Sequence, residues 1–221
     1  MIQLEKLEKP YILDKKEDDW TEEYKKWQND EDVPDAAKNR YNQSEIKEKL
    51  IEETNGKCAY CESKIGGVSY EHIEHIKPKS KYHDLVVEWK NLTLSCQKCN
   101  NNKGKEYDED CMPLNPYDDD PSNHLDAAGP MISVTSPRGQ YTKNLLDLNR
   151  DKLLEERGDF LEDIDELVRE IRSEDDYQEC KALVSTLERH LKSDSRFTFA
   201  ARRYVRYFLD LDSSPCSELA S

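Results

Sequence analysis

Apolar residues recur at helical spacing near both ends of the chain and form shorter, strand-like runs between them. Toward the N-terminus an aromatic stripe predicts a short helix around Trp20–Trp27, and we interpret that stripe as a docking face. A second stripe predicts a helix over Glu45–Glu53, which Asn55 and Gly56 end. In the last third of the chain, three apolar stripes predict a helical region at 144–211.

The middle of the chain follows a different pattern. Val68–Ile76 and Leu92–Ser95 are short runs rich in β-forming residues, and they predict two strands separated by a long loop. Gln97–Lys105 predicts a short helix directly after the second strand. Further on, Met131–Val134 is the best candidate for a strand in a short hairpin, and residues 136–139 favour a turn.

These elements predict an α+β protein that is mostly α. We expect five segments: a docking segment at 1–42, a core at 43–110, an acidic loop with a short hairpin at 111–143, a helical region at 144–211 and a disordered tail at 212–221. No apolar run is long enough to span a membrane, and the first residues lack the apolar core of a signal peptide. We therefore expect a cytoplasmic protein that does not associate with membranes.

Charge is distributed unevenly along the 221 residues. The whole chain carries a formal net charge of −15, which makes it a poor non-specific ligand for nucleic acid. Between Lys57 and Lys105, however, nine lysines face five acidic residues. A basic island in an acidic body fits a nucleic-acid site whose loading depends on a partner, and chance clustering of solvated charge is the alternative.

Two Cys-x-x-Cys pairs bracket the basic island: Cys58 with Cys61, and Cys96 with Cys99. Two such turns supply four thiolates for a tetrahedral Zn²⁺. The 34 residues between the pairs exceed the spacing of a simple zinc ribbon, so the metal closes a loop that contains structure of its own. Four cysteines saturate the ion, which makes this zinc structural, and any catalysis needs a second metal.

Five further residues of this block stand in a fixed order relative to the cysteines: Glu74, His75, Asn91, Asn100 and Lys103. The order resembles that of the HNH endonucleases of the ββα-metal superfamily. Their pattern is C-x-x-C, an acid–His pair near a proline, Asn-Leu, and C-x-x-C-N with a basic residue three positions on. The correspondence covers Cys58–Lys105 and implies a zinc-stabilised ββα-metal core for a nuclease.

The resemblance implies a role for each of these residues in phosphodiester hydrolysis. His75 is the general base, since a neutral imidazole accepts a proton near pH 7. Glu74 and Asn100 hold a catalytic Mg²⁺ or Mn²⁺, which prefers oxygen ligands. Asn91 braces the loop that orients His75, and Lys103 contacts phosphate.

The geometry of the first predicted strand bears on this site. A regular strand points Glu74 and His75 to opposite faces, so both serve one site only where the strand ends or twists. His72 lies on the Glu74 face. It either completes the metal site or is a surface histidine held by hydrogen bonds.

More of the chain resembles one subgroup. The runs IQLEKLEKP, KCAYCESKI, EHIKPKS, WKNLTLSCQKCNNNKG, LNPYDDDPSNHL and LLDLNRDKLLEER are similar to the PtuB-like HNH nuclease subunits of Septu-type and retron-associated antiphage systems. This resemblance implies a defence nuclease whose partner is an ABC-type ATPase and whose substrate is nucleic acid, DNA before RNA. The alternatives are an inactive zinc-stabilised binding or scaffold module and a stand-alone restriction or repair nuclease.

Overall fold

The computed structural model describes residues 1–66 and 71–208. The helices and strands of these residues follow one another in the order α1 (Tyr11–Gln28), α2 (Ser44–Thr54), β1 (Glu71–His75), β2 (Leu92–Cys96), α3 (Gln97–Lys103), β3 (Leu125–Ala128), β4 (Met131–Val134), α4 (Pro137–Leu145), α5 (Asp151–Ser173), α6 (Tyr177–Leu191) and α7 (Thr198–Phe208). The predicted fold class, α+β and mostly α, is confirmed.

β1 and β2 form an antiparallel sheet in which Glu74 lies opposite Thr93 and His75 lies opposite Leu92. All five residues of β2 are buried, and α3 starts directly after β2 and packs back onto both strands. This is the predicted order of strand, long loop, strand and helix. Residues 68–70 of the predicted first strand lie outside the described residues.

The N-terminal helix is longer than the sequence pattern predicted. Its first half is highly charged and shows no apolar stripe, but Leu13 is fully buried and anchors it. Trp20 and Tyr24 are also buried, and the Tyr24 ring meets the His83 imidazole edge to face with centroids 5.9 Å apart. The aromatic stripe is therefore part of the chain's own core, and docking by residues 1–42 stays a prediction.

The turn predicted at residues 136–139 is wrong, because these residues begin α4. Ser136 Oγ accepts a hydrogen bond from the Gly139 N–H at 3.1 Å, and Pro137 occupies the first helical position. Serine at the N-cap and proline at the first position start helices as readily as they mark turns. The predicted hairpin is present just before it, with β3 and β4 paired antiparallel.

The C-terminal helices α5, α6 and α7 pack on one another, and α7 also packs on β3. The turn of the first cysteine pair is bonded to this region by two buried side chains. Lys57 Nζ donates to the Ser195 carbonyl oxygen at 2.7 Å, and Glu62 Oε2 accepts from the Phe199 N–H at 3.1 Å. The helical region thus supports the cysteine cluster directly. The predicted tail at 212–221 lies outside the described residues.

Across residues 1–66 and 71–208, none of the helices combines the length and the apolar content that crossing a bilayer requires.

Candidate functional site

The four cysteines of the two C-x-x-C pairs meet in one buried cluster, with all four Sγ atoms within 4.8 Å of one another. Cys61 Sγ and Cys96 Sγ are 3.9 Å apart. Four sulfurs placed tetrahedrally at about 2.3 Å from Zn²⁺ lie roughly 3.8 Å from one another. The donor set therefore fits a tetrahedral metal ion of the kind that the cysteine spacing predicts.

The second cysteine pair joins the cluster to the hairpin. Cys96 is the last residue of β2 and the N-cap of α3, and its Sγ accepts from the Cys99 N–H at 3.5 Å. The first pair is attached beside it, since the Ala59 N–H donates to the Leu94 carbonyl oxygen at 2.9 Å. A metal bound here fixes the point at which the strand turns into the helix.

Arg150, which the sequence reasoning did not single out, lies against this cluster. Its guanidinium nitrogens are 3.7 Å from Cys61 Sγ, 3.8 Å from Cys99 Sγ and 3.9 Å from Cys96 Sγ. Burial lowers the pKa of Arg150, but the thiolates more than offset that and the net direction is upward. A charged guanidinium at this position compensates the negative charge of a metal-bound set of four thiolates.

Glu74 and Lys103 form a buried ion pair between β1 and α3. Lys103 Nζ donates to Glu74 Oε1 at 2.6 Å and to the His75 carbonyl oxygen at 2.7 Å, and Glu74 and Lys103 are 5% and 1% exposed. Burial raises the pKa of Glu74, although the charge of Lys103 acts in the opposite direction. The phosphate contact expected of Lys103 stays a prediction, and it requires this pair to open because the amine faces inward.

His75 is held on the other face of β1. Its Nε2 lies 2.8 Å from the Val86 carbonyl oxygen, which only accepts hydrogen bonds, so Nε2 carries the proton and Nδ1 the lone pair. The Tyr41 ring meets the imidazole edge to face with centroids 4.6 Å apart. Burial lowers the pKa of His75 to about 3, so the imidazole is neutral at pH 7.

Asn91 ties both ends of the loop between β1 and β2. Its Oδ1 accepts from the Lys77 N–H at 2.8 Å, and its Nδ2 donates at 3.0 Å to the carbonyl oxygens of both Lys77 and Leu85. Leu85 directly precedes Val86, whose carbonyl oxygen holds the His75 ring. This geometry is the one that the bracing role of Asn91 requires.

Asn100 lies three residues before Lys103 on α3, and residues at that spacing share one side of a helix. Its half-buried side-chain amide makes no hydrogen bond within residues 1–66 and 71–208. Glu74 Oε2 and the Asn100 amide oxygen are two oxygen donors on β1 and on the helix that packs against it. Mg²⁺ and Mn²⁺ suit such donors, with water and substrate phosphate completing the set.

The Glu74 face of the hairpin also carries polar atoms without partners. His72 lies opposite Ser95, and in the described part of the chain neither His72 Nε2 nor Ser95 Oγ has a hydrogen-bond partner, although both atoms are buried. Buried polar atoms are normally paired, so these two are the groups on the Glu74 face that still lack a partner within the described residues. A part for His72 in the metal site stays a prediction.

The hairpin and helix place the predicted residues in two groups. Glu74 and Lys103 are together on one face of β1, with Asn100 one turn earlier on α3, while His75 and Asn91 belong to the loop on the other side. The opposite orientation of Glu74 and His75, expected from strand geometry, is thus present. His75 is the last residue of β1, so the two groups meet only at the strand end.

Comparisons with known proteins bear on the region that contains these residues. Residues 58–106 match the family model described as HNH endonuclease. The chain is 34% identical over 158 residues to Septu protein PtuB of Bacillus mycoides (strain KBAB4). The match covers 57% of this chain and 54% of that protein. The chain is also 39% identical over 106 residues to Septu protein PtuB of Bacillus thuringiensis. That match covers 48% of this chain and 41% of that protein.

Residues 58–106 are therefore similar to the HNH endonucleases, and the resemblance to HNH nucleases and to PtuB-like subunits is confirmed. The matches span about half the length of the curated relatives. Arg150, Tyr41 and Val86 lie outside the pattern that identified the site. No spacing rule would have found them, because their contacts arise from tertiary packing.

Proposed function

We propose that this chain is a metal-dependent HNH endonuclease that hydrolyses phosphodiester bonds of nucleic acid, DNA before RNA. The observation that carries the proposal is the geometry of the residues within the matched domain. Asn91 locks the loop whose Val86 carbonyl oxygen orients His75, while α3, which carries Asn100, is bonded to Glu74 through Lys103. An acid, a neutral imidazole and an amide at these places suit hydrolysis of phosphate esters.

His75 is the general base of this proposal. The Nε2–H of His75 donates to the Val86 carbonyl oxygen, so the Nδ1 lone pair is left to accept the proton of an attacking water. A neutral imidazole at pH 7 is the form that accepts the proton, but burial lowers the pKa of His75 to about 3, which makes it a weak base until the ring is exposed. Because His75 is 6% exposed, the Tyr41 ring must move before a phosphate reaches it.

Glu74 and Asn100 hold the catalytic ion, Mg²⁺ or Mn²⁺, with His72 a further donor. When bound, such an ion stabilises the charge that develops on phosphate and the leaving oxygen. The four cysteines hold structural Zn²⁺, and Arg150 balances its thiolates. Glu74 would offer Oε2 to the ion while Oε1 stays bonded to Lys103. If the Lys103 side chain left Glu74 to contact the phosphate, both carboxylate oxygens would be available.

The curated relatives are named Septu proteins, and we extend their antiphage context to this chain. In that setting the chain is the effector nuclease in a cytoplasmic complex with an ABC-type ATPase. The burial of Glu74 and His75 in the isolated chain supports a nuclease that a partner activates.

The same burial favours a second candidate, a zinc-stabilised nucleic-acid binding or scaffold module without cleavage activity. The two candidates differ in one assay. The full chain, alone and co-expressed with an ABC-type ATPase, is incubated with DNA and with tRNA in Mg²⁺, Mn²⁺ or EDTA. We expect metal-dependent cleavage that His75→Ala lowers by roughly a hundredfold or more.

The control for that assay is His83→Ala, which removes a histidine of the same loop whose Nε2 lies 3.2 Å from the Ser80 carbonyl oxygen. This variant should keep its activity. Cleavage by His75→Ala at the wild-type rate rejects the catalytic model. Binding without cleavage under every condition favours the scaffold module.

A further inference from the structure

A groove beside the cysteine cluster concentrates positive charge in this acidic chain. The cavity is about 560 Å³ and is lined by five cationic side chains and one acidic one: Lys64, Lys98, Arg150, Lys152, Arg196 and Glu156. We propose that this basic groove binds the phosphate backbone of the nucleic acid on which the hairpin acts. The proposal rests on the nuclease function and adds a substrate-binding surface outside the catalytic residues.

The cations of the groove differ in how far they are already engaged. Arg150 is bound to the thiolates, so it offsets the charge of the cluster rather than adding a free cation. Lys98 and Lys64 make no ion pair in the described part of the chain, and both are exposed. Lys98 is free to neutralise phosphate, and Lys64 has only one exposed hydrogen bond to give up, from its Nζ to the Asn55 carbonyl oxygen at 3.1 Å.

The ion pairs of Lys152 and Arg196 are long and solvent-exposed, and Arg196 also lies over the Phe160 ring, 5.0 Å from its centroid. Lys152 Nζ is 3.7 Å from Glu156 Oε1, and Arg196 is 3.9 Å from Asp163 Oδ2. Exposed pairs of this kind contribute roughly 0–1 kcal/mol, so a phosphate displaces them at little cost. Four cations are therefore available to a phosphodiester backbone.

The chemistry of the groove favours nucleic acid over a protein partner. Its only large apolar residues, Leu153 and Phe197, are buried in the chain's own core. Stable protein interfaces centre on accessible aromatic or aliphatic anchors, which this groove lacks. Lysines on flexible stems around the groove suit a repeating phosphate chain read without regard to sequence.

The position of the groove connects it to the catalytic hairpin. Lys98 and Asn100 both lie on α3, about 3 Å apart along the axis but on opposite sides of a helix that is about 10–12 Å across. Successive nucleotides of a duplex strand advance about 3.4 Å. A backbone that lies in the groove thus reaches the Asn100 side of α3 within a few nucleotides, and the C-terminal region supplies half of the contacts, through Lys152 and Arg196.

The test measures DNA affinity of the full, zinc-containing chain between about 50 and 200 mM salt, without added Mg²⁺ or Mn²⁺, by fluorescence anisotropy. Four phosphate contacts predict about a hundredfold loss of affinity over that range. The Lys98→Glu/Lys152→Glu variant removes two phosphate contacts. Its DNA affinity should be weaker at low salt and should fall only about tenfold over the same salt range. Zinc content and circular dichroism verify its fold.

The matched control is Lys15→Glu/Lys181→Glu, which makes the same charge change at two exposed lysines outside the groove. It should keep the wild-type salt dependence. No DNA binding by the wild-type chain at low salt, or equal salt dependence in the groove variant, overturns the proposal. Polyglutamate is the probe for an acidic protein segment. If the groove variant loses its binding to polyglutamate but keeps its DNA affinity, the groove binds an acidic protein segment and the proposal is wrong.

The outcomes separate this proposal from the nuclease function. If the wild-type chain cleaves DNA and the groove variant keeps the wild-type DNA affinity, the groove proposal is wrong and the nuclease function is retained. Groove-dependent binding without any cleavage rejects the nuclease and keeps the groove.

Discussion

Lys103 binds Glu74 inside the protein, with Nζ 2.6 Å from Oε1 and both side chains almost inaccessible to solvent. Removing one partner of a buried pair leaves the other charge uncompensated, which costs about 3–5 kcal/mol. We therefore expect Lys103→Met to lower the free energy of unfolding by that amount in chemical denaturation. The double variant Lys103→Met/Glu74→Gln should recover part of the loss, because no buried charge is then left. A double variant no more stable than Lys103→Met contradicts this account.

The Glu74–Lys103 pair illustrates what the sequence could and could not predict. The order of cysteines, Glu74, His75, Asn91 and Asn100 was sufficient to predict the hairpin, the helix and the metal-binding cluster, because ligand chemistry constrains residue type and spacing. The direction of the Lys103 side chain depends on how α3 packs on β1, which no local pattern encodes.

The same distinction applies to the ends of the chain. Tertiary packing buried the aromatic stripe of α1 and extended that helix to Tyr11 through a charged stretch without helical periodicity. Ser136 and Pro137 were ambiguous, since the same residues start turns and helices. Arg150 contacts the cysteines although it lies 51 residues after Cys99 in the sequence. A motif confined to the hairpin does not extend that far along the chain.

Asn91→Ala should loosen the loop between β1 and β2. The substitution removes three hydrogen bonds to the backbone of Lys77 and Leu85, each contributing roughly 0.5–1.5 kcal/mol. We expect faster hydrogen exchange at the Lys77 amide and a loss of cleavage larger than the loss of stability. Asn102→Ala, which removes one bond of 3.3 Å to the Leu146 carbonyl oxygen, is the control. Unchanged exchange at Lys77 would falsify the bracing role.

The cysteine cluster predicts about one zinc per chain in the purified protein, measured by mass spectrometry of the metal. Cys58→Ser should lose the ion and destabilise the hairpin, because metal binding and folding are coupled at such sites. Cys111→Ser is the control, since Cys111 lies outside the cluster and is partly exposed. It should retain the metal and the wild-type melting temperature. Stoichiometric zinc in Cys58→Ser would show that the ion binds elsewhere.

Tyr41 should control the protonation of His75. The Tyr41 ring covers the imidazole, and its hydroxyl accepts a hydrogen bond from Lys79 Nζ at 3.0 Å, which keeps a positive charge nearby. Burial and the Lys79 charge both lower the pKa of His75, to about 3. Tyr41→Ala removes the cover and frees Lys79, so the pKa should rise toward the ordinary value of about 6.5.

The measurement is an NMR titration of the histidine ring protons from pH 4 to 8 without added divalent ions, with the His75 signal assigned by its loss in His75→Ala. The wild-type signal should change little, because a pKa of about 3 leaves the ring mostly neutral from pH 4 upward. In Tyr41→Ala the signal should titrate, while Tyr41→Phe, which retains the covering ring, should resemble the wild type more closely. A His75 signal that stays constant in Tyr41→Ala would mean that other residues keep the base buried, and that movement of Tyr41 does not open the site.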